Sequence, residues 1–279
     1  KHKKIIMIII IKKMIIIIIT SITMSKIKIV VLIGDSTANK NTLVTLINGG
    51  INVVGAVISN QKNHGINTKF LKSAIKKQGV LKVLLQVFER IVYKLLNSKK
   101  DKILHDSIFD KNEIEKTITK WDGKILYTES NYSSPDNIKW IKDLKPDLII
   151  IHTQYWVGKK VRDLVDGRII GGHPGITQKY RGVHSSFWAI LNNDYENIGY
   201  TIFWVDAGVD TGDIIFQAKL KPKKGDTYTS ISWRGMNNIA LNLVKLIKEI
   251  NCIEEINSKK NHNIVNSSLY YHPTVFNYI

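Results

Sequence analysis

Apolar residues along this chain come in short runs, divided by polar turns and by stretches of helical spacing. Lys28-Ile29-Val30-Val31-Leu32-Ile33 is nearly all apolar, the pattern of a strand covered on both faces. Gly34-Asp35-Ser36-Thr37 breaks it, helical apolar spacing then runs to Ile47, and a second strand-like run spans 51–59. Strand, helix and strand in that order open a doubly wound sheet, with Asp35, Ser36 or Thr37 as the helix cap. Later strand-like runs fall at 168–170 and 199–205, and a helix-like stretch at 227–250. The expected fold is α/β: a doubly wound, mostly parallel sheet with helices on both faces and a short C-terminal helical appendage.

Between 67 and 100 the chain turns basic, with Leu71, Ile75, Leu81, Leu84, Leu85, Val87, Phe88, Ile91, Val92, Leu95 and Leu96 at helical spacing. This segment reads as a helical insertion that packs on the sheet and turns its lysines to solvent; a pocket cover or an oligomer contact are the other readings. Residues 1–23 form an apolar leader split by Lys12 and Lys13, and neither half approaches the ~20 residues that span a bilayer. The expected start is Met24, so the division is 1–23 leader, 24–220 catalytic domain, and 221–279 C-terminal helix and tail.

Composition narrows the class. One cysteine, Cys252, excludes a disulfide framework, and 44% hydrophobic content supports a core. The net charge of +18 is scattered rather than gathered, which suits a phosphate-bearing small molecule better than a nucleic acid track. The expected compartment is cytoplasmic, without a stable membrane partner and with homo-oligomerisation open. A dinucleotide fingerprint needs three glycines at the first turn and only Gly34 is present, so a nicotinamide cofactor is not expected.

Candidate chemistry lies between 171 and 214. Gly171-Gly172-His173-Pro174-Gly175 follows an apolar run, so His173 is held at a strand end. Asp210 lies in the dense turn Asp206-Ala207-Gly208-Val209-Asp210-Thr211-Gly212-Asp213 after a β-branched and aromatic run. Each alone is an ordinary structural residue type; together at strand ends they make an acid/base pair. His152, His173, His184 and Asp210 lack the tight spacing of a zinc motif, so no metal is expected. His184 and Arg181 read as wall or loop anchors, and Phe187 and Trp188 as core.

The block resembles the folate-dependent formyltransferase family, in the order His173, Pro174 to Gln178, Tyr180-Arg181-Gly182, Trp188-Ala189, Gly199-Tyr200-Thr201 and Asp210-Thr211-Gly212. The resemblance covers roughly 27–220 and includes the run entering the folate loop at 144–151. It implies a Rossmann-like formyltransferase domain and transfer of a formyl group from 10-formyltetrahydrofolate, as co-substrate, to a primary amine. His173 would donate to the oxyanion and Asp210 would orient it and relay the amine proton. Folate would lie against His152, Thr153, Gln154, Tyr155 and Trp156 and against Asp206 and Gly208; Gly175, Tyr180, Arg181 and Gly182 would border the acceptor.

Two positions depart from the family pattern. Gly171 stands where an asparagine donor to the same oxyanion is usual, and Gln178 where a proline is usual. Losing one such donor typically costs about a hundred- to a thousandfold in turnover, so Gln154, Thr153, His152 or a backbone N–H would have to replace it. The favoured acceptor is a nucleotide-linked amino sugar; Tyr270-Tyr271-His272-Pro273 resembles short C-terminal segments of formyltransferases acting on sugar nucleotides or of uncharacterised relatives. The stretch after Leu220 is shorter than the ~100-residue second domain of a methionyl-tRNA formyltransferase, so tRNA is not expected. Glycinamide ribonucleotide or another small amine, and a non-catalytic folate or nucleotide-sugar binding homologue, are the alternatives.

Overall fold

A computed structural model describes residues 27–61, 68–177, 179–260 and 268–278, with backbone alone at 68–71, 73 and 278. The leader, Met24 and Gln178 lie outside the described residues. Strands β1 (Ile29–Gly34), β2 (Val53–Ser59), β3 (Lys124–Thr128), β4 (Leu148–His152), β5 (Ile169–His173), β7 (Gly199–Trp204) and β8 (Ile214–Lys219) form one sheet in the order β3-β2-β1-β4-β5-β7-β8. The first five are parallel, whereas β7 and β8 run antiparallel to β5 and to each other. All six residues of β1 are buried, as its unbroken apolar run requires of a central strand. Strand order reverses between β1 and β4, so a crevice opens at their carboxyl ends, where doubly wound folds bind ligands.

Helix α1 (Thr37–Asn48) returns from β1 to β2. Ser36 is its cap, accepting from the Asn39 N–H at 3.2 Å, while Asp35 pairs with Lys40 at 2.7 Å. The basic segment is two helices, α2 (Thr68–Gln78) and α3 (Val80–Ile108), broken at Gly79, whose φ is 85°. It thus runs eight residues past the expected end at 100. The expected sheet-facing apolar surface is also corrected. Leu81, Leu84, Phe88, Ile91, Leu95 and Leu96 are exposed, and the buried positions are Val83, Gln86 and Glu89. Polar bonds explain the inversion: Gln86 donates to the His272 carbonyl at 2.8 Å, and the Tyr93 hydroxyl meets Asp101 at 3.0 Å and Thr229 at 2.8 Å.

Helices α4 (Lys111–Lys120), α5 (Pro135–Asp143) and the single turn α6 (Lys159–Arg162) complete the parallel crossovers. After β5 come a three-residue strand β6 (Tyr180–Gly182), α7 (Ser185–Leu191), the β7–β8 hairpin and α8 (Tyr228–Lys248). Thr227 and Ser230 form a capping box that fixes the start of α8, which packs on α1 and crosses β5 and β7. The tail then returns as β9 (Ser268–Tyr270), pairing in parallel with β6 as a separate two-stranded sheet. Among the described residues no helix is long and apolar enough to cross a membrane.

Candidate active site

His173 ends β5 and is buried, with its two ring nitrogens facing different surroundings. Nε2 lies 2.7 Å from Ser185 Oγ and 3.1 Å from the Tyr180 carbonyl oxygen. Ser185 Oγ itself donates to that carbonyl at 3.0 Å. A carbonyl only accepts and the serine proton is committed to it, so Nε2 carries a hydrogen and donates inward. Nδ1 lies 3.4 Å from Asp210 Oδ2, where side-chain exposure is 9% for His173 and 19% for Asp210. Asp210 is thus the less buried member of the pair.

Asp210 arrives by an indirect route. Val205 donates its N–H to Ile169 O at the start of β5, yet Asp210 touches His173 at its end, so the loop folds back along β5. Asp206 braces the loop, its Oδ1 accepting from Gly208 N at 2.9 Å and Thr211 Oγ1 at 2.6 Å. Asp210 adopts φ 52°, and its Oδ2 accepts the Gly182 N–H at 2.9 Å. The spent side chain of Asp206 is part of the loop's own scaffold, and Gly208 has no space for a Cβ beside Thr211.

The departure at Gly171 has a structural counterpart. An ideal Cβ there would stand 2.9 Å from Val205 Cγ2, 3.3 Å from Phe203 Cζ and 3.4 Å from Ile151 Cγ1. The space an asparagine would use is filled by the first residue of the loop that delivers Asp210. Glycine lets that loop lie flat on β5.

The other anticipated positions divide into those that converge and those that serve elsewhere. Gly175 sits against the pair: a Cβ would meet Ser185 at 2.4 Å and His173 Nε2 at 2.8 Å, and its carbonyl accepts from Thr201 Oγ1 at 2.7 Å. The Tyr180 hydroxyl donates to Asp194 at 2.8 Å and faces away from the pair, so Tyr180 contributes its backbone. Arg181 Nη1 donates to Val209 O at 3.4 Å, placing a cation one residue from Asp210. His184, with φ 56°, bonds His272 at 3.0 Å and so anchors the tail. Phe187 is buried as expected, but Trp188 is only partly so, donating from Nε1 to Tyr271 O at 3.0 Å. With Lys82, Tyr270 and His272 it lines a cavity of about 210 Å³.

At the end of β4, His152 is buried beside Thr42, its Nδ1 on the threonine hydroxyl and its Nε2 without a hydrogen-bond partner among the described residues. Burial first, then the nearby His173, hold its pKa down at about 4. Gln154 Oε1 accepts from Asn39 at 3.1 Å, a bond that does not use its amide N–H groups. Thr153 Oγ1 faces the Tyr132 hydroxyl at 3.1 Å and accepts from Tyr155 N at 3.2 Å. Trp156 is exposed at the rim. Among the described residues no three His, Cys, Asp or Glu side chains are grouped to hold a metal. Sequence reasoning passed over Ser185, whose one signal was its place as the first residue of the helix, three after Gly182.

The structure is thus a doubly wound α/β sheet with a His–Asp pair at the end of β5, two strands from β1. The chain belongs to the formyl transferase family, whose model matches residues 27–244. It is 33% identical over 110 residues to methionyl-tRNA formyltransferase of Methylacidiphilum infernorum, covering 39% of this chain and 34% of that protein. Over 133 residues it is 32% identical to the same enzyme of Halothermothrix orenii, covering 47% and 40%. The chain thus matches less than half the length of these curated relatives. Its fold is similar to a phosphoribosylglycinamide formyltransferase from Anaplasma phagocytophilum, with TM-score 0.52, 15% identity and coverage of 80% and 88%. It is similar also to a sugar N-formyltransferase from Shewanella sp FDAARGOS_354, with TM-score 0.51, 13% identity and coverage of 85% and 74%.

Proposed function

We propose that this protein transfers a formyl group from 10-formyltetrahydrofolate to a primary amine, the acceptor being a nucleotide-linked amino sugar. The observation that carries the reaction is the His173–Asp210 pair, with one ring nitrogen tied to Ser185 and the other facing the less buried Asp210. With Nδ1 protonated as well as Nε2, as the adjoining Asp210 carboxylate favours, its N–H donates to the carbonyl oxygen as the attack of the amine places negative charge on it. Asp210, aimed by the Gly182 N–H, accepts the proton that the attacking nitrogen loses, directly or through a water. That proton balances the one the departing nitrogen needs.

The residues around the crevice fit the folate. Trp156 and Val209 are exposed apolar side chains, His152 Nε2 is a buried polar atom without a partner among the described residues, and Gln154 accepts from Asn39 through Oε1, so its amide N–H groups are not used in that bond. A flat heteroaromatic ring with donors and acceptors along its edge matches that mixture. When bound, the folate supplies the formyl group and leaves as a secondary amine. Gly175, Arg181 and Gly182 border the acceptor side, and the Arg181 guanidinium next to Asp210 suits a phosphate-bearing acceptor. The +18 charge favours the same class, and sugar N-formyltransferases stand among the fold's neighbours.

Release of tetrahydrofolate is the test, with aminodeoxysugar nucleotides, glycinamide ribonucleotide and Met-tRNA offered as acceptors. Turnover with a sugar nucleotide is expected, and His173→Ala or Asp210→Asn should lower it by about 10²- to 10⁴-fold. Turnover confined to another acceptor overturns the sugar assignment. A second reading, a non-catalytic binding homologue, draws on the apolar filling of the space at Gly171. It predicts folate binding with no turnover on any acceptor.

A further inference from the structure

Helix α3 presents two opposite faces, and the outer one is bare. The inner face packs on α8 and on the turn Val275–Tyr278 of the tail. The outer face carries Leu81, Leu84, Phe88, Ile91 and Leu95, each between 53% and 77% exposed. Their spacing of three, four, three and four residues is that of heptad a and d positions. At about 100° per residue the stripe lies roughly opposite the buried Gln86. These a and d positions, with Val80 and Val87 exposed at g beside them, make a stripe of the kind a second helix fills.

Area and charge both bear on what fills it. With Val80 and Val87 on its flank, the seam exposes roughly 800 Å² of apolar side chain, beyond the largest patch of a typical monomer and equal to one partner's share of a standard interface. In a parallel self-pairing, Lys94 at a g position would meet Lys99 at the e position of the other copy, a repulsive contact. In an antiparallel pairing about a point between Phe88 and Ile91, Phe88 faces Ile91 and Leu84 faces Leu95. Lys94 then stands opposite Val87, and no like charges meet along the seam.

We propose that α3 pairs antiparallel with α3 of a second copy of this chain, making a two-fold dimer. Such an interface is isologous and closes on itself. The stripe points away from the subunit's own body, so the two sheets stay apart and both crevices stay open.

The test is the mass of the full chain in solution, by light scattering and sedimentation up to about 100 µM. A dimer of the 31.8 kDa chain is expected. Leu84→Glu with Ile91→Glu should convert it to monomer with unchanged far-ultraviolet circular dichroism, because both positions are exposed in the subunit. Register is read from Leu84→Cys with Leu95→Cys in a Cys252→Ser background. On mild oxidation by diamide, which takes up the two electrons and two protons, the paired thiols form an intersubunit disulfide. Either cysteine alone should fail, its own copy lying about 16 Å away along the axis.

Four results overturn the proposal: a monomer at the highest concentration; a dimer indifferent to the two glutamates; a monomer that dimerises only after removal of residues 1–23, which would make the leader the occupant; and a monomer that binds phosphatidylserine vesicles through the same side chains.

Discussion

The Gly182 N–H holds Asp210 Oδ2 at 2.9 Å, and Gly182 in turn rests against the tail from the far end of the chain. Its φ is 88°, and an ideal Cβ would stand 2.5 Å from Tyr270 O. Pairing of β6 with β9 puts Gly182 beside Tyr270, and Val183 N donates to Tyr270 O at 3.0 Å. The Tyr270 ring stacks on Tyr180 and Trp188 at centroid distances of 5.4 and 5.0 Å. Three residues of tail thus brace the loop that aims the carboxylate.

Gly182→Ala should therefore damage catalysis more than its size suggests. Left-handed backbone costs about 1–2 kcal/mol with a side chain, and the added methyl pushes β6 off Tyr270. Displacing Asp210 by even about 1 Å should lower kcat by up to about a hundredfold. Tyr270→Phe keeps the ring stacking and the backbone bonds, and should stay within about threefold of the parent. Single-turnover formyl transfer measures both; full activity in Gly182→Ala would remove the brace from the mechanism.

On the proposed reaction Ser185 would act through His173. It receives the Nε2 hydrogen at 2.7 Å and passes its own to the Tyr180 carbonyl. With alanine in its place Nε2 keeps only the 3.1 Å carbonyl contact, and the ring gains freedom to turn its Nδ1 from Asp210. We expect kcat to fall roughly tenfold with KM for folate little changed, since a lost charge-free hydrogen bond is worth about 1 kcal/mol and reactive geometry adds to it. The pH dependence of kcat should move in Ser185→Ala and return in Ser185→Thr. A packing role alone would leave that profile in place.

The opening of the parallel core was readable because its strands are unbroken apolar runs bounded by glycine or polar turns, as at Ile29–Gly34 and Val53–Ser59, whereas the half-exposed β3 carries no such run. His173 and Asp210 were readable as strand-end groups, although the loop's return along β5 was not, since Val205 carries no mark of lying on Gly171. The antiparallel course of β7 and β8 is invisible to a period-2 pattern, which is the same for both directions. The β6–β9 pair escaped because three-residue strands show no alternation and their partners lie 88 residues apart. On α3 the apolar spacing predicted a helix correctly and its buried face wrongly. Gln86 and Tyr93 have bonding partners inside, and the leucines lie on the other side.

Gly171→Asn tests whether the site lacks a donor or has dispensed with it. Because the new Cβ would crowd Val205 Cγ2 at 2.9 Å, the single change should destabilise by about 1–3 kcal/mol and shift the Asp210 loop, so activity should fall. Val205→Ala opens the space, and the pair Gly171→Asn with Val205→Ala should recover stability and exceed the single variant in kcat by about tenfold or more. Melting temperature and kcat are read on all three variants. A rise in kcat in Gly171→Asn alone would show that Val205 yields freely and that the loop does not need glycine beneath it.

Three histidines give stability a direction in pH. Burial, and after it nearby positive charge, hold His152 and His184 at about 4 and His272 at about 3. The charge is His173 for His152, Arg90 for His184, and Arg90 with His184 for His272. The unfolded chain protonates its histidines near 6.5. Above that value both states are neutral and stability is whole. As pH falls from about 6.5 toward about 4 the unfolded state takes up protons that the folded state refuses, so stability is lost at up to roughly 1.4 kcal/mol per pH unit for each histidine. His184 and His272 share one hydrogen bond at 3.0 Å, and the His184 ring meets both Tyr228 and His272 edge-on, so charging either histidine opens the contact between α7 and the tail. Urea midpoints from pH 7.5 down to 5 should therefore drop steeply, and His272→Gln should flatten the slope by about one proton. A midpoint that stays level across that range would mean these rings are solvated in the folded protein and that the tail does not seal them.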